Sequence, residues 1–385
     1  MRKKQQTIPY YPKNAHKTLI GVLSCPVRNS KKSPRTVKLN NYKELVILSQ
    51  DNNVTAFVFM PESVDWKRKR IVGSTIIKKS SLDKGSDWQV FRFPLPDVVY
   101  NRVPNRRTES KKNVQDLKQR LSNEAGIPFF NPMFLDKWDV YIWLKDNPEL
   151  SQYIPETHLM DRQTLERMLD KYDSVYVKPR AGSLGRGIMR IERIKKLYRY
   201  NTLRTSGYKN GSRVRKKRVI DLAMILKGKQ EFMVQQGINL ARYQGRIFDI
   251  RALVQKDYQG QWHLSGMAAR VASPNAHVTH LPNGGRPVAL FEALSGLTDS
   301  IDERQKIMAK LASFAEAIPP ALEKGCKKQF GEISLDIGID QKWNIWLIEA
   351  NSKPFKFDER NIRILSRLRI IEYATYLSSL KDKRS

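Results

Sequence analysis

The stretch that most restricts how this chain can fold lies near its end: "GEISLDIGIDQKWNIWLIEANSKP", residues 331–354. Two apolar runs flank a short polar turn, the pattern of a β-hairpin. Ile333, Leu335, Ile337 and Ile345 to Ile348 are too apolar for a hairpin standing in water, so a covered sheet is expected. The same runs nevertheless carry Asp336, Glu349 and Asn351. Strand side chains alternate with a period of two. If residue 339 faces 344, Asp336 lies opposite Leu347, Glu349 is its diagonal neighbour, and Asn351 follows on that face. Two carboxylates and an amide are costly to bury uncompensated. Oxygen donors of this kind suit Mg²⁺, with Glu349 placed to bridge two ions. An ordinary hairpin with its acids on a solvated face is the competing reading, and the hairpin alone does not choose.

A second stretch, "YVKPRAGSLGRGI" (176–188), runs from an apolar strand into a lysine, a proline and a loop with Gly182, Gly185 and Gly187. An ammonium at a strand end is a point charge for phosphate. Glycines let backbone N–H groups approach phosphate oxygens. A glycine-containing hairpin with a solvated Lys178 explains the same residues.

The remaining pattern is mixed. "TLIGVLS" (18–24), "YKELVILSQDNN" (42–53) and "VTAFVFMP" (54–61) read as strand, helix, strand, a parallel α/β unit. "DWQVFRF" and "PDVVYNR" add strands, and the polar "NRVPNRRTESKK" (101–112) suggests a domain edge near residue 115. Helices are expected over 112–126, 134–146, 164–172, 219–229, 301–318 and 359–382. Strands are expected at 174–179, at 188–194 and 195–201 as an antiparallel pair, and at 231–238, 248–257 and 262–271. The composition is that of a globular chain, 40% hydrophobic, with no apolar run long enough to span a bilayer. Cys25 and Cys326 stand far apart in no metal-like spacing, so a reducing cytoplasm is expected. The net charge of +32 makes a positive field that attracts polyanions without choosing among them.

Taken in order, the lysine before a glycine loop, "VQQGI", "DIR" and "LDIG…IEANSKP" resemble the ATP-grasp superfamily. "LPDVVYNRVPNR", "FFNPMFLDKWDVY" and "YIPETHL" resemble its YheC/YheD-type, endospore coat-associated branch. The resemblance implies an α/β and α+β chain: an N-terminal parallel α/β (pre-ATP-grasp) domain, then a two-subdomain ATP-grasp fold. The divisions expected are a basic arm at 1–17, the first domain at 18–115 and the ATP-grasp domain at 116–385. Within the latter fall a glycine-loop subdomain near 160–236, a metal-binding subdomain near 237–358 and the C-terminal helix.

The resemblance also implies roles. Lys137 and Lys178 correspond to the two ATP lysines. Gly182, Ser183, Leu184, Gly185, Arg186 and Gly187 form the loop over the phosphates. Gln235, Gln236, Gly237 and Ile238 form the hinge that receives adenine. Arg251 and Arg270 stand near the transferred phosphate, where arginines neutralise developing charge. Asp336, Glu349 and Asn351 become ligands of Mg²⁺, with Mn²⁺ the alternative ion. The implied reaction joins a carboxylate to an amine or thiol through an acyl phosphate. The alternative is a catalytically weak ATP-binding protein that uses its basic surface on an acidic polymer or coat layer.

One departure is visible. In "VTHLPNGGR", His280 stands where such ligases often carry asparagine, although Gly284 and Gly285 keep the glycine pair. These three, with Arg102 and Arg106 beyond the strand "PDVVYN", are the candidates for contacting the carboxylate partner, a small molecule or peptide of anionic character. Residues 193–218 hold eleven Lys or Arg and no acid. They are expected as an exposed loop, solvated or docking a polyanion, with Tyr198, Tyr200 and Tyr208 interleaved for stacking. No recognisable nucleic-acid module accompanies them.

Overall fold

The computed structural model describes residues 8–11, 18–28, 35–77, 87–182, 187–204, 207–273 and 285–382. Three six-stranded sheets carry the architecture, and the first mixes parallel with antiparallel pairs. The first begins with β1 (Thr18–Leu23), a two-strand ribbon β2 (Val27–Arg28) and β3 (Arg35–Thr36), helix α1 (Lys43–Asp51) and β4 (Val54–Asp65). β1 and β4 pair in parallel, as the strand–helix–strand order predicts. β5 (Arg70–Ile76) and β6 (Trp88–Pro94) then add antiparallel strands, and the sequence reading had not found β5. β7 (Val98–Asn101) pairs parallel to β1. After helices α2 (Arg106–Glu109) and α3 (Lys112–Gln119), β8 (Phe129–Phe130) pairs parallel to β7. Of the basic N-terminal arm, Tyr10 bridges to Arg92 and Tyr11 stacks on Phe93.

The second sheet is antiparallel, in the order β13-β12-β11-β10-β14-β9. Helix α4 (Lys137–Lys145), capped by Asp136, leads to β9 (Thr157–Leu159), α5 (Arg162–Lys171) and β10 (Ser174–Pro179). β11 (Met189–Ile194), β12 (Leu197–Arg204), β13 (Gly207–Val214), α6 (Lys216–Lys227) and β14 (Phe232–Gln236) complete it. The antiparallel pair expected at 188–194 and 195–201 is present as β11 and β12, but the rest of the basic run 193–218, expected as an exposed loop, is also mostly strand. Tyr198 and Tyr200 are buried in the core beneath this sheet, so they are not available for stacking. The side chain of Tyr208 lies outside the described residues. The run's charges hid an alternation that puts Tyr198, Tyr200 and Thr202 inside and Arg199 and Asn201 on the other face.

The third sheet holds β15 (Arg242–Tyr243), β16 (Arg246–Lys256), β17 (Trp262–Val271), β18 (Arg286–Val288), β19 (Glu332–Ile339) and β20 (Ile345–Asn351). After the short α7 (Leu290–Ala293), α8 (Ile301–Cys326) runs past Pro319 and Pro320, where the sequence reading had stopped it. Pro319 and Leu322 are buried, and burial of apolar surface favours the helix against the loss of two N–H donors. One face of the sheet is continuous hydrocarbon: Phe248, Ile250, Ala252 and Val254 of β16 pack beside Ile333, Leu335 and Ile337 of β19, under α8. The opposite face carries Asp249 and Arg251 on β16, Arg270 on β17, Asp336 on β19, and Glu349 on β20. The last described element is α9 (Arg360–Asp382).

Candidate functional site

The hairpin register differs from the expected one in two places. Its turn spans Asp340 to Asn344, with Trp343 in the left-handed region at φ 68° and Asp340 Oδ1 accepting from the Lys342 and Asn344 amides. Ile339 therefore faces Ile345. A bulge then leaves Ile348 unpaired, so Asp336 faces Glu349 directly instead of Leu347, and Ser334 faces Asn351. A bulge places two residues against one and re-aims the side chains around it. Here it brings the two carboxylates opposite each other. The prediction that Asp336, Glu349 and Asn351 share one face holds through a different register.

Cations crowd the acids. The Arg270 guanidinium grips Asp249 at 3.0 and 3.2 Å and reaches Asp336 Oδ1 at 2.7 Å. Burial pulls the affinity of Arg270 for its proton down, but Asp249 and Asp336 outweigh it and hold the group charged. Arg251 lies 3.6 Å from Asp336 Oδ1 and donates to Ser334 Oγ at 3.3 Å. Burial lowers its pKa, and neighbouring Arg270 adds to the fall. Glu349 has a looser partner, Lys137 Nζ at 3.5 Å. The Asn351 amide, half-buried, makes no hydrogen bond among the described residues.

Lys178 faces this cluster from β10. Only 7% of it is exposed, and its ammonium donates to the neutral Gln235 Oε1 at 2.6 Å. It has no ion pair among the described residues. Burial, assisted by Lys137, lowers its pKa to about 8, with Glu349 and Asp336 opposing. The cleft on one side, about 80 Å³, is walled by Tyr176, Gln236, Ile238, Asp336 and Glu349. A smaller void of about 30 Å³, walled by Lys137, Tyr141 and Met233, lies on the other. Gln235 also donates to Thr157 Oγ1 at 3.0 Å, and Gln236 accepts from the Glu156 amide at 3.2 Å. Gly237 donates to the Ser174 carbonyl at 2.8 Å, so close that a Cβ there would meet Ser174 Oγ at 2.0 Å. The expected hinge is thus a fixed bend in which only glycine fits.

At the glycine loop, Lys137 donates to the Gly182 carbonyl at 3.0 Å. Arg180 ties the start of the loop to Asp136 and Asp139, both at 2.9 Å. Gly187 has φ 75°, open to glycine and strained for other residues. Ser183, Leu184, Gly185 and Arg186 lie outside the described residues, as do His280 and Gly284. Gly285 is half-buried just before β18.

Arg102 and Arg106 are placed differently from the cleft groups. Arg102 donates to Glu332 Oε1 at 3.1 Å and to the Pro354 carbonyl at 2.8 Å, and Tyr100 also donates to Glu332. It joins the first sheet to the third. Arg106 donates to the Leu135 carbonyl and lies over the Phe134 ring at 5.3 Å, with burial lowering its pKa. The sequence reading overlooked the groups that complete this junction. Lys353, held to Glu109 at 2.7 Å, is nearly enclosed, and burial lowers its pKa to about 7. Asn131 accepts from the Gly331 amide at 2.9 Å. A usable signal existed for Glu332: it continues the alternation of Ser334 and Asp336 into an otherwise apolar strand.

The match that decides the family spans residues 126–377, which fit the model described as YheC/D-like ATP-grasp. The chain belongs to that family. It is 30% identical over 374 residues to endospore coat-associated protein YheD of Bacillus subtilis (strain 168), covering 94% of this chain and 79% of that one. Endospore coat-associated protein YheC of the same strain is 23% identical over 279 residues, 70% of this chain and 73% of the other. Among solved structures, the D-alanine–D-alanine ligase of Coxiella burnetii superposes with a TM-score of 0.54 at 12% identity, over 96% of this chain and 98% of that one. The shared architecture is the ATP-grasp fold. Among the described residues, no helix of this family member is long and apolar enough to cross a membrane.

Proposed function

We propose that the protein is an ATP- and Mg²⁺-dependent ligase that joins a carboxylate to an amine or thiol. The observation that carries this is Lys178, a buried ammonium with no carboxylate partner among the described residues, aimed into a cleft between two sheets. A buried unpaired cation is costly, and an anionic ligand relieves that cost. The phosphates of ATP fit the requirement, with Lys137 as second cation and adenine against Gln235 to Ile238. Voids of about 80 and about 30 Å³ are smaller than a nucleotide needs, so the two sheets must part to admit it.

The donor set fits a hard divalent ion. Asp336 and Glu349 face each other across paired strands, and the Asn351 amide has no hydrogen-bond partner among the described residues. Among the described residues no group of three His, Cys, Asp or Glu gathers, so the amide, substrate oxygens or water must complete the shell. When bound, the ion would neutralise phosphate charge. Arg251 and Arg270 would do the same from the sheet, positioned by Asp249 and Ser334. The substrate carboxylate would attack the γ-phosphorus, releasing ADP. The amine or thiol would then attack the acyl carbon and expel phosphate, losing its proton to solvent or a nearby base. We assign the N-terminal sheet, the β9–β14 sheet and the β15–β20 sheet to the pre-ATP-grasp, glycine-loop and metal-binding units. The coat association in the relatives' names supports a second reading, an ATP-binding coat-associated protein of low turnover.

Calorimetry with Mg·ATP, followed by ADP release and product mass with pooled carboxylates and amines, tests both. Turnover supports the ligase, and Mg²⁺-dependent binding without turnover supports the second reading. Unchanged ATP affinity in Lys178→Ala and Asp336→Ala would remove the site assignment itself.

A further inference from the structure

Beside the Lys178 cleft lies a cavity of about 530 Å³ that the ligase reading does not use. Tyr176, Ile238, Leu240 and Ile247 line both, so the two spaces adjoin. One wall is a row across four strands: Tyr176 pairs with Arg190, Arg190 with Asn201, and Asn201 with Asn210. Arg199 stands two residues from Asn201 on the same strand and also lines the space. The facing wall brings Asn239, Arg242 and Arg246 from the bend after β14 and the β15–β16 turn.

The charge balance is one-sided. Among the described residues, four arginines line the cavity and no carboxylate does. Glu192, outside the walls, holds Arg199 at 2.9 Å and lies 3.8 Å from Arg190. Arg242 donates to the Gly245 carbonyl at 2.8 Å, and neither it nor Arg246 has a carboxylate partner among the described residues. Guanidinium groups recognise phosphate and carboxylate by paired N–H donors. Asn201, Asn210 and Asn239 add donors and acceptors for hydroxyl or amide groups. The volume falls in the range of small-molecule sites. We propose that this cavity binds a small polyanion, a ligand with two or more phosphate or carboxylate groups, beside the nucleotide cleft rather than in it.

The test uses the full chain in Mg²⁺-free buffer, titrated calorimetrically with pyrophosphate and separately with citrate. At least one probe binds at one equivalent. Binding by pyrophosphate alone marks a phosphate ester, and by citrate alone a polycarboxylate. Replacing Arg190 and Arg246 together by Gln weakens the probe about tenfold or more, the loss of charge-assisted hydrogen bonds. The exposed control pair Lys306→Gln and Lys310→Gln leaves binding within about twofold, as expected for distant charges under screening. Asn201→Asp, which puts an acid into the row, gives the same loss if the arginine pair impairs folding. The proposal is overturned if neither probe binds at millimolar concentration, or if cavity and control variants weaken alike. It is also overturned if a non-hydrolysable ATP analogue displaces the probe. Failure of the analogue to bind in a separate titration with Mg²⁺ and no probe counts against the ligase reading and leaves this outcome readable.

Discussion

Replacing Lys178 by Met should make the ligand-free protein more stable at neutral pH while removing its grip on nucleotide. The ammonium is buried, and its pKa falls from the usual 10.5 to about 8. At about 1.4 kcal/mol per pH unit, that distance corresponds to about 3 kcal/mol of strain on the charged form. Met keeps the length and carries no charge. It also strips Gln235 of its donor, a loss of about 1 kcal/mol. The variant should therefore gain about 2 kcal/mol at pH 7 by urea denaturation. The pH dependence carries the sharper sign. Between pH 8 and 10.5 the unfolded chain still holds the proton that the folded chain has released, so wild-type stability from this group rises with pH. The advantage of the variant should shrink through that window and reverse above it. If Lys178→Met is less stable than wild type at pH 7, or if the difference stays flat from pH 8 to 10.5, Lys178 is not a strained buried cation. The case for an anion-receiving cleft would fall with it.

The same ammonium sets how nucleotide binding responds to pH: Mg·ATP affinity should hold below about pH 8 and weaken above it, by up to tenfold per unit, in calorimetric titrations. Asp336→Asn and Glu349→Gln should part company. The first leaves Arg270 facing a neutral group in a buried network and should cost about 3 kcal/mol in urea melts. The second loosens only a partly solvated pair and should change stability by less than about 1 kcal/mol, while abolishing the Mg²⁺ dependence of nucleotide binding. Gly237→Ala pushes a methyl into Ser174, so it should lower the melting temperature and weaken nucleotide binding together.

The site was legible where chemistry and order coincide. Lys178 before glycines, Gln235 ahead of a small hinge residue, and Asp336 to Glu349 on one hairpin could be read because each is polar in an apolar setting. Register could not. An extra turn residue at Trp343 and a bulge at Ile348 arise from local twist and hydrogen bonding that no two-residue period encodes. The basic run 193–218 was legible as strand as far as Asn201; beyond it charge, glycine and serine read as exposed loop, although the chain continues there in strand. Arg102 misled in the opposite way. Its partner Glu332 is 230 residues away, and a pairing at that separation has no local signature.

Helix α9 has a consequence for how the protein is made. Ile370, Ile371, Tyr373, Ala374 and Leu377 pack into the core formed by β1, α1, β4 and β7. One face of these strands is thus closed by residues synthesised much later in the same chain. At about 5–20 residues per second, that face waits on the order of 20–70 s for its cover. Until then the nascent chain carries an uncovered apolar surface, and a ribosome stalled before residue 360 would leave it bare.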